Sequence, residues 1–285
     1  MTWRDRALVA LCRRLVKPAL AVPVPWPVLR QAFHLVAPPT SGDCDVRMDR
    51  SDIAGVSCGV FTPRDAEGIL VWLHGGGFIL GSSRSYAGLA RALARRTGRR
   101  VIVPDYRLAP ENPFPAGHDD CIAVVRGIAA GGPFALGGDS AGGTLALTTL
   151  AALLPERAGP ERLILASPAV DLNPGRPAPD GRDDILFPIA TLRRIARTYV
   201  AENDPSDPRI SPIHARFDGA PPVLIQCAEG EILEEDADLI AERLRSFGAA
   251  VEMQKTGGVP HVWQLFADRT PKADSAVAAM AEFLS

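Results

Sequence analysis

Gly138-Asp139-Ser140-Ala141-Gly142 sets a serine in the G-x-S-x-G pattern. A strand-like run, Phe134–Leu136, leads into it, and the small and apolar residues Thr144 to Leu147 lead out. Strand, sharp turn and helix are what make such a serine a nucleophile. The turn lifts Oγ above a sheet, and the helix N-terminus favours negative charge beside it. Small residues are needed two positions before and after, because neighbouring strands and the helix crowd the turn. A glycine-rich turn with an N-cap serine is the plainer alternative; the flanking strand and helix weigh against it. His74-Gly75-Gly76-Gly77-Phe78 follows another apolar run, Ile69–Leu73. Acyl transfer puts negative charge on a tetrahedral oxygen, which preorganised backbone N–H groups stabilise. Gly76, Gly77 and Ala141, the residue after the serine, are the candidate donors. No G-K-[ST] follows and the G-x-G-x-x-G spacing is absent, so this is not a phosphate loop. His74 reads as a hydrogen-bonder that holds the loop rather than as a catalyst.

A serine hydroxyl is a poor nucleophile until a base takes its proton. The histidines are His34, His74, His118, His214 and His261. In the nucleophile-elbow architecture the base follows the serine and the acid in the chain, which leaves His214 and His261. His261 comes after the last apolar run, Val251–Gln254, and a Gly257-Gly258 loop, where the base belongs. The acid should stand just after the run Val223–Cys227. Glu231 is the choice there, with Glu229, Glu234, Glu235 and Asp236 as alternatives. A carboxylate at this place fixes the imidazole tautomer and stabilises the imidazolium as it forms. Acidic residues at a helix start are also ordinary dipole stabilisation.

These residues need a scaffold. Eight short β-like runs are present: Asp45–Met48, Val56–Phe61, Ile69–Leu73, Val101–Val103, Phe134–Leu136, Leu163–Ala166, Val223–Cys227 and Val251–Gln254. Helical segments are predicted near 84–96, 117–130, 141–154, 188–201, 234–247 and 273–284. The first two strands should pair antiparallel. The later ones are nearly all apolar and separated by helices, the pattern of a parallel sheet covered on both faces, with chemistry at the strands' carboxyl ends. Residues 3–17 can form an amphipathic helix with Leu8, Leu11, Leu15 and Val16 on one side and the arginines on its polar face. Pro18, Pro23, Pro25 and Pro27 should then interrupt regular structure, before a short helix at 28–36. Residues 168–221 exceed a simple connection and are expected to fold over the sheet edge, joining the N-terminal segment as a lid. The resulting division is 1–42 as N-terminal cap segment, 43–175 as first part of the core, 176–215 as cap insertion and 216–285 as second part of the core.

The composition excludes several classes. At 285 residues the chain suits one large α/β domain, and 47% hydrophobic with 22% charged residues is ordinary for a globular protein. A net charge of −2 offers no basic face for nucleic acid. Cys12, Cys44, Cys58, Cys121 and Cys227 are scattered without a CxxC pair, so they read as free thiols in a reducing compartment, not as a metal or redox site. The apolar stretch near the N-terminus is broken by Arg13 and Arg14, too early for a signal peptide, and no run reaches transmembrane length. A cytoplasmic protein is expected, with no membrane span; a homodimer is left open.

HGGGF at 74–78, YRLAPENPFPA at 106–116, GDSAGG at 138–143, DPRISPIHARFDGAPPVLIQ at 207–226 and HVWQLF at 261–266 together resemble the hormone-sensitive-lipase-like, bacterial esterase branch of the α/β-hydrolases. The resemblance runs from about residue 56 to the C-terminus. It implies an α/β-hydrolase fold: an eight-stranded, mostly parallel sheet flanked by helices, with a small helical cap built from the N-terminus and an insertion after the sixth strand. It implies a cofactor-free serine hydrolase of short- to medium-chain esters, with relatives that open lactones or remove acetyl groups. The family's commonest acid is an aspartate in a DPL-type stretch; here Glu231-Ile232-Leu233 stands at the matching place. Tyr106 to Glu111 reads as a structural turn anchored by an arginine–carboxylate contact. Phe78, Phe187, Ile189 and Trp263 are candidates for the substrate pocket, though each could equally be core. Hydrolysis of amides or N-acetyl groups, and a hydrolase scaffold reused as a non-catalytic small-molecule receptor, are the alternatives.

Overall fold

A computed structural model describes residues 1–36, 45–177, 179 and 182–285. Cys44 and the side chain of His34 lie outside the described residues. Helices α1 (Trp3–Leu11), α2 (Lys17–Ala21) and α3 (Trp26–Val36) precede the strands. The strands are β1 (Val46–Ile53), β2 (Val56–Pro63), β3 (Ile69–Leu73), β4 (Arg100–Pro104), β5 (Ala135–Asp139), β6 (Arg162–Ala166), β7 (Val223–Ala228) and β8 (Val251–Thr256). Between and after them run α4 (Ala87–Thr97), α5 (Ala116–Ala129), α6 (Ala141–Leu153), α7 (Ile189–Val200), α8 (Glu234–Ser246) and α9 (Pro271–Leu284). The strands form one sheet in the order β1-β2-β4-β3-β5-β6-β7-β8. β1 and β2 pair antiparallel, as do β2 and β4; from β4 onward every pairing is parallel.

The alternation of side chains along each strand divides the interior into two cores. Val71, Leu73, Leu136, Leu163 and Leu165 face the layer that holds α5, α6 and α8. Leu70, Trp72, Ala135, Ile164 and Leu224 face α4 and α9. Both faces are covered, which is why the inner parallel strands β3, β6 and β7 are largely apolar rather than alternating. The two edge strands are the exceptions: β1 carries mostly polar, exposed residues and pairs with β2 along its whole length, and β8, VEMQKT, is only partly buried. The four described cysteines, Cys12, Cys58, Cys121 and Cys227, are free and buried. No described helix is long and apolar enough to cross a membrane.

The N-terminal segment departs from its sequence reading in two ways. Helical structure continues past Pro18 to Ala21, because a π-helical turn at Cys12–Val16 widens the backbone ahead of the proline ring. The faces also differ. Asp5, Leu8 and Cys12 are buried, whereas Leu11 and Leu15, expected beside Leu8, are 45% and 64% exposed. Leu8 and Cys12 instead pack on Ile185 of the insertion.

The N-terminal segment and the insertion are tied directly. Arg13 pairs with Asp183, and Lys17 Nζ donates to Asp184 O, each at 2.6 Å. Thr191 Oγ1 donates to Leu20 O, Arg194 donates to Val24 O, and the Arg194 guanidinium lies 3.7 Å over the Trp26 ring.

Candidate active site

Ser140 stands between β5 and α6 with φ +52° and ψ −119°, a conformation L-residues avoid. The elbow is held open from both sides. Ser140 N–H donates to Ala166 O on β6, and Ser140 O accepts from Ala169 N–H. A Cβ on Gly142 would overlap Leu73 O, and one on Gly138 would overlap the Gly142 carbonyl. The requirement for small residues two positions either side of the serine is therefore met by backbone contacts that no side chain could share.

The glycine loop packs against this elbow. His74 is fully buried; its Nδ1–H donates to Gly75 O at 2.8 Å, and its ring stacks on Tyr106 at 4.2 Å. Burial pulls its pKa down to about 4, so it is neutral near pH 7. It holds the loop and does not line the cavity. Gly76 and Gly77 have φ of +112° and +63°, and a Cβ on Gly76 would overlap Leu80 O. Both glycines line the cavity with Ser140 and Ala141. Ala141 opens α6, so its N–H has no intrahelical acceptor.

His261 Nδ1–H donates to Glu231 Oε2 at 2.6 Å, and Glu231 Oε1 accepts from Ala228 N–H at 2.9 Å. Both side chains are almost fully buried. Burial depresses the imidazole pKa, but the charge and hydrogen bond of Glu231, helped by Asp184 and Asp139, outweigh it and leave the pKa raised. The bond to Glu231 fixes the proton on Nδ1 and leaves Nε2 basic. Nε2 is buried without a hydrogen-bond partner among the described residues, so no hydrogen bond joins it to Ser140 Oγ. The two residues line the same cavity. Unliganded hydrolase sites commonly leave this contact long, closing it when substrate binds.

The other candidates lie elsewhere. Of the described histidine side chains only His261 lines the cavity; His118 contacts Asp119, and His214 sits in a short 3₁₀ turn. Glu234 is engaged by Arg182 and Lys255, Asp236 by Arg176 and Val170 N–H, and Glu235 is exposed. Arg107 binds Asp120 at 2.7 Å, the anchor expected of the 106–111 turn.

The cavity has a volume of about 230 Å³. Phe78, Phe187 and Ile189 belong to its wall; Phe187 meets the His261 ring edge-on at 5.1 Å. Trp263 does not. The backbone turns through a left-handed residue at Val262, φ +50°, which sends Val262 to the cavity and Trp263 into a small core with Ala228, Val259 and Ala273.

Two carboxylates went unnoticed in the sequence. Asp139, directly before the serine, is buried and accepts from Trp72 Nε1, Tyr86 OH and Gly75 N–H at 2.9, 2.7 and 3.2 Å. Burial drives its pKa up to about 6 against the pull of these donors. It ties the nucleophile turn to the glycine loop. Its place inside the motif was the available signal. Asp184, in the insertion, is buried and accepts from Leu186 N–H, Phe187 N–H and Ile232 N–H at 2.7, 2.7 and 2.9 Å. It ties the insertion to the loop that carries Glu231, and nothing local in the sequence marks it.

Comparison with known proteins agrees with this geometry. A family model described as the alpha/beta hydrolase fold matches residues 70–265. An acetyl-hydrolase of Streptomyces hygroscopicus is 35% identical over 224 residues, 75% of this chain and 74% of that protein. An esterase of Acinetobacter venetianus is 33% identical over 226 residues, 76% of this chain and 75% of its own. The crystal structure of an esterase from the bacterial hormone-sensitive lipase family superposes with a TM-score of 0.90 at 30% identity, over 100% of this chain and 98% of that one. With the elbow, the glycine loop and the buried imidazole in one cavity, these likenesses establish that the chain belongs to the hormone-sensitive-lipase-like family of α/β-hydrolases and is a carboxylic ester hydrolase.

Proposed function

We propose that Ser140, His261 and Glu231 form the catalytic relay, working through an acyl-enzyme on short- to medium-chain carboxylic esters or lactones. The supporting observation is the buried Glu231–His261 hydrogen bond, whose free Nε2 belongs to the same cavity as the strained serine. Ser140 Oγ attacks the carbonyl carbon while its proton passes to Nε2. The oxyanion accepts from the N–H groups of Gly76, Gly77 and Ala141, each worth about 3–4 kcal/mol by precedent. The imidazolium, stabilised by Glu231, protonates the leaving alkoxide as the C–O bond breaks. Water then attacks the acyl-enzyme carbonyl and gives a proton to the same nitrogen, which passes it to Ser140 Oγ as the Oγ–acyl bond breaks and the acid is released.

The described parts of residues 1–42 and 176–215 serve as the cap that closes this cavity. Its volume of about 230 Å³ lies below the roughly 300–1,000 Å³ of sites for drug-sized ligands, which favours short chains. The acetyl-hydrolase relative supports an acyl group as small as acetyl and keeps a second reading alive, removal of acetyl from an amine. Hydrolysis of p-nitrophenyl esters from acetate to decanoate, several lactones and matched acetanilides tests both. Rates should fall beyond medium chains, and esters should exceed amides. Ser140→Ala should lose roughly 10⁴-fold or more in kcat, and a fluorophosphonate should label wild type only at Ser140. A Ser140→Ala protein with wild-type turnover would end the proposal.

A further inference from the structure

We propose that the outer face of α1 and α2 docks the enzyme on an anionic lipid surface. Seven large apolar side chains stand exposed among the described residues, and six of them lie between Met1 and Val28. Scattered exposed leucines need no explanation, but a cluster confined to one segment does. Trp3, Leu11, Leu15 and Val22 are 69%, 45%, 64% and 58% exposed. Trp3 and Leu11 stand on α1, Leu15 in the π-helical turn that follows it, and Val22 at the residue that ends α2, so the exposed apolar surface runs along the whole segment. Other residues of the segment are turned inward: Leu8 and Cys12 pack on the insertion, and Val16 and Leu20 line the substrate cavity. The segment thus has apolar residues turned inward and others left to solvent.

Charge selects the occupant. Residues 1–21 hold Arg4, Arg6, Arg13, Arg14 and Lys17 against a single acid, Asp5, which is buried as part of the α1 cap. Arg4, Arg6 and Arg14 are exposed, and the Arg4 guanidinium lies 5.6 Å from the Trp3 ring centroid. A helical segment that exposes Trp and Leu together with arginine suits the boundary between headgroups and acyl chains, where anionic lipid attracts the cations. A second copy of the same face would set arginine against arginine. The bilayer contact would lie one helix away from the cavity wall formed by Val16 and Leu20, a short route for esters that partition into lipid.

The test uses the full chain and vesicles of phosphatidylcholine with or without phosphatidylglycerol, read by co-sedimentation. Binding should appear with phosphatidylglycerol and weaken as salt rises. The Arg4→Glu/Arg14→Glu variant should lose roughly 25-fold or more in partitioning, at about five-fold per arginine removed. Leu11→Ser/Leu15→Ser should lose about ten-fold or more. Both variants should keep wild-type hydrolysis of water-soluble p-nitrophenyl acetate, which shows that they fold and that docking is separate from the chemistry. Absence of binding to either vesicle, or binding unchanged in both variants, overturns the proposal. So does a concentration-dependent dimer that Leu11→Ser/Leu15→Ser converts to monomer without any vesicle binding by the wild type.

Discussion

The two walls of the cavity are held by different means. On the sheet side, the elbow and the glycine loop are fixed by backbone against backbone: Gly142 against Leu73 O, Gly76 against Leu80 O, Ser140 N–H on Ala166 O. On the cap side, the N-terminal segment and the insertion meet through side chains, the largely exposed Arg13–Asp183 pair and single donors from Lys17, Thr191 and Arg194 to carbonyls. Exposed ion pairs stabilise little, with a median of about 0–1 kcal/mol. On the proposed mechanism the chemistry rests on the rigid side, and chain-length selection on the side that is cheaper to change. Substitutions should separate accordingly: sheet-side changes act on kcat and pH dependence, cap-side changes on substrate choice.

After Ser140→Ala, the largest effect should come from Glu231→Gln. The amide is isosteric but loses the charge that holds the imidazolium and the proton on Nδ1, so kcat/KM should fall roughly 10²–10⁴-fold. The pH profile sharpens the test. In the proposed relay His261 is the neutral base, so activity should be lost as pH falls through its pKa, which Glu231 raises above the ordinary histidine value. Without that charge the largest raising influence is gone and burial pulls the imidazole pKa down against only Asp184 and Asp139, so the acid limb of the kcat/KM profile should move to lower pH. An unmoved limb would mean that Glu231 does not govern the base.

This division also explains what could be read without coordinates. All eight strands were legible, because apolar runs between helices have few other fates, and chain order alone picked out Glu231 and His261, which the fold brings within hydrogen-bonding distance of one another. β1 was read too short because an edge strand carries the polar texture of MDRSD, which looks like a turn. Trp263 was offered to the cavity because nothing in HVWQLF signals the left-handed turn at Val262. The cap was least legible. Leu11 and Leu15 obey helical periodicity, yet periodicity states only that a face is apolar, not which face meets protein. Asp184 could not be found at all, since its partners at Leu186, Phe187 and Ile232 come together only after the insertion has folded onto the acid loop.

Asp184 is where the two walls touch, and Asp184→Asn should give an intermediate effect. The carboxylate accepts two N–H groups on one oxygen and Ile232 N–H on the other. An amide presents one donor end, so donor must face donor on one side. Leaving a buried N–H unsatisfied costs about 1–3 kcal/mol. The loop beneath Glu231 and the Phe187 ring beside His261 should both loosen, for a loss of about ten-fold in kcat/KM. The acid limb should shift in the same direction as in Glu231→Gln but by less, because Asp184 acts on the imidazole only through space. A loss confined to KM, with the limb in place, would make Asp184 a cap fastener alone and leave the two walls independent.

The smallest effect should come from within the cap wall. Leu20 lines the cavity from α2 while its carbonyl accepts from Thr191 Oγ1. Leu20→Ala keeps that backbone contact and removes three carbons from the wall, which should admit a longer acyl chain. Each buried methylene contributes about 0.8 kcal/mol, or roughly four-fold in kcat/KM. The optimum across an acetate-to-decanoate series should therefore move to longer chains, with a gain of about four-fold per added carbon until the new space is filled. The acid limb should stay where it is in the wild type, because no charged group near His261 has changed. If the optimum stays put while the limb moves, the cap wall is coupled to the base and the separation of chemistry from selection fails.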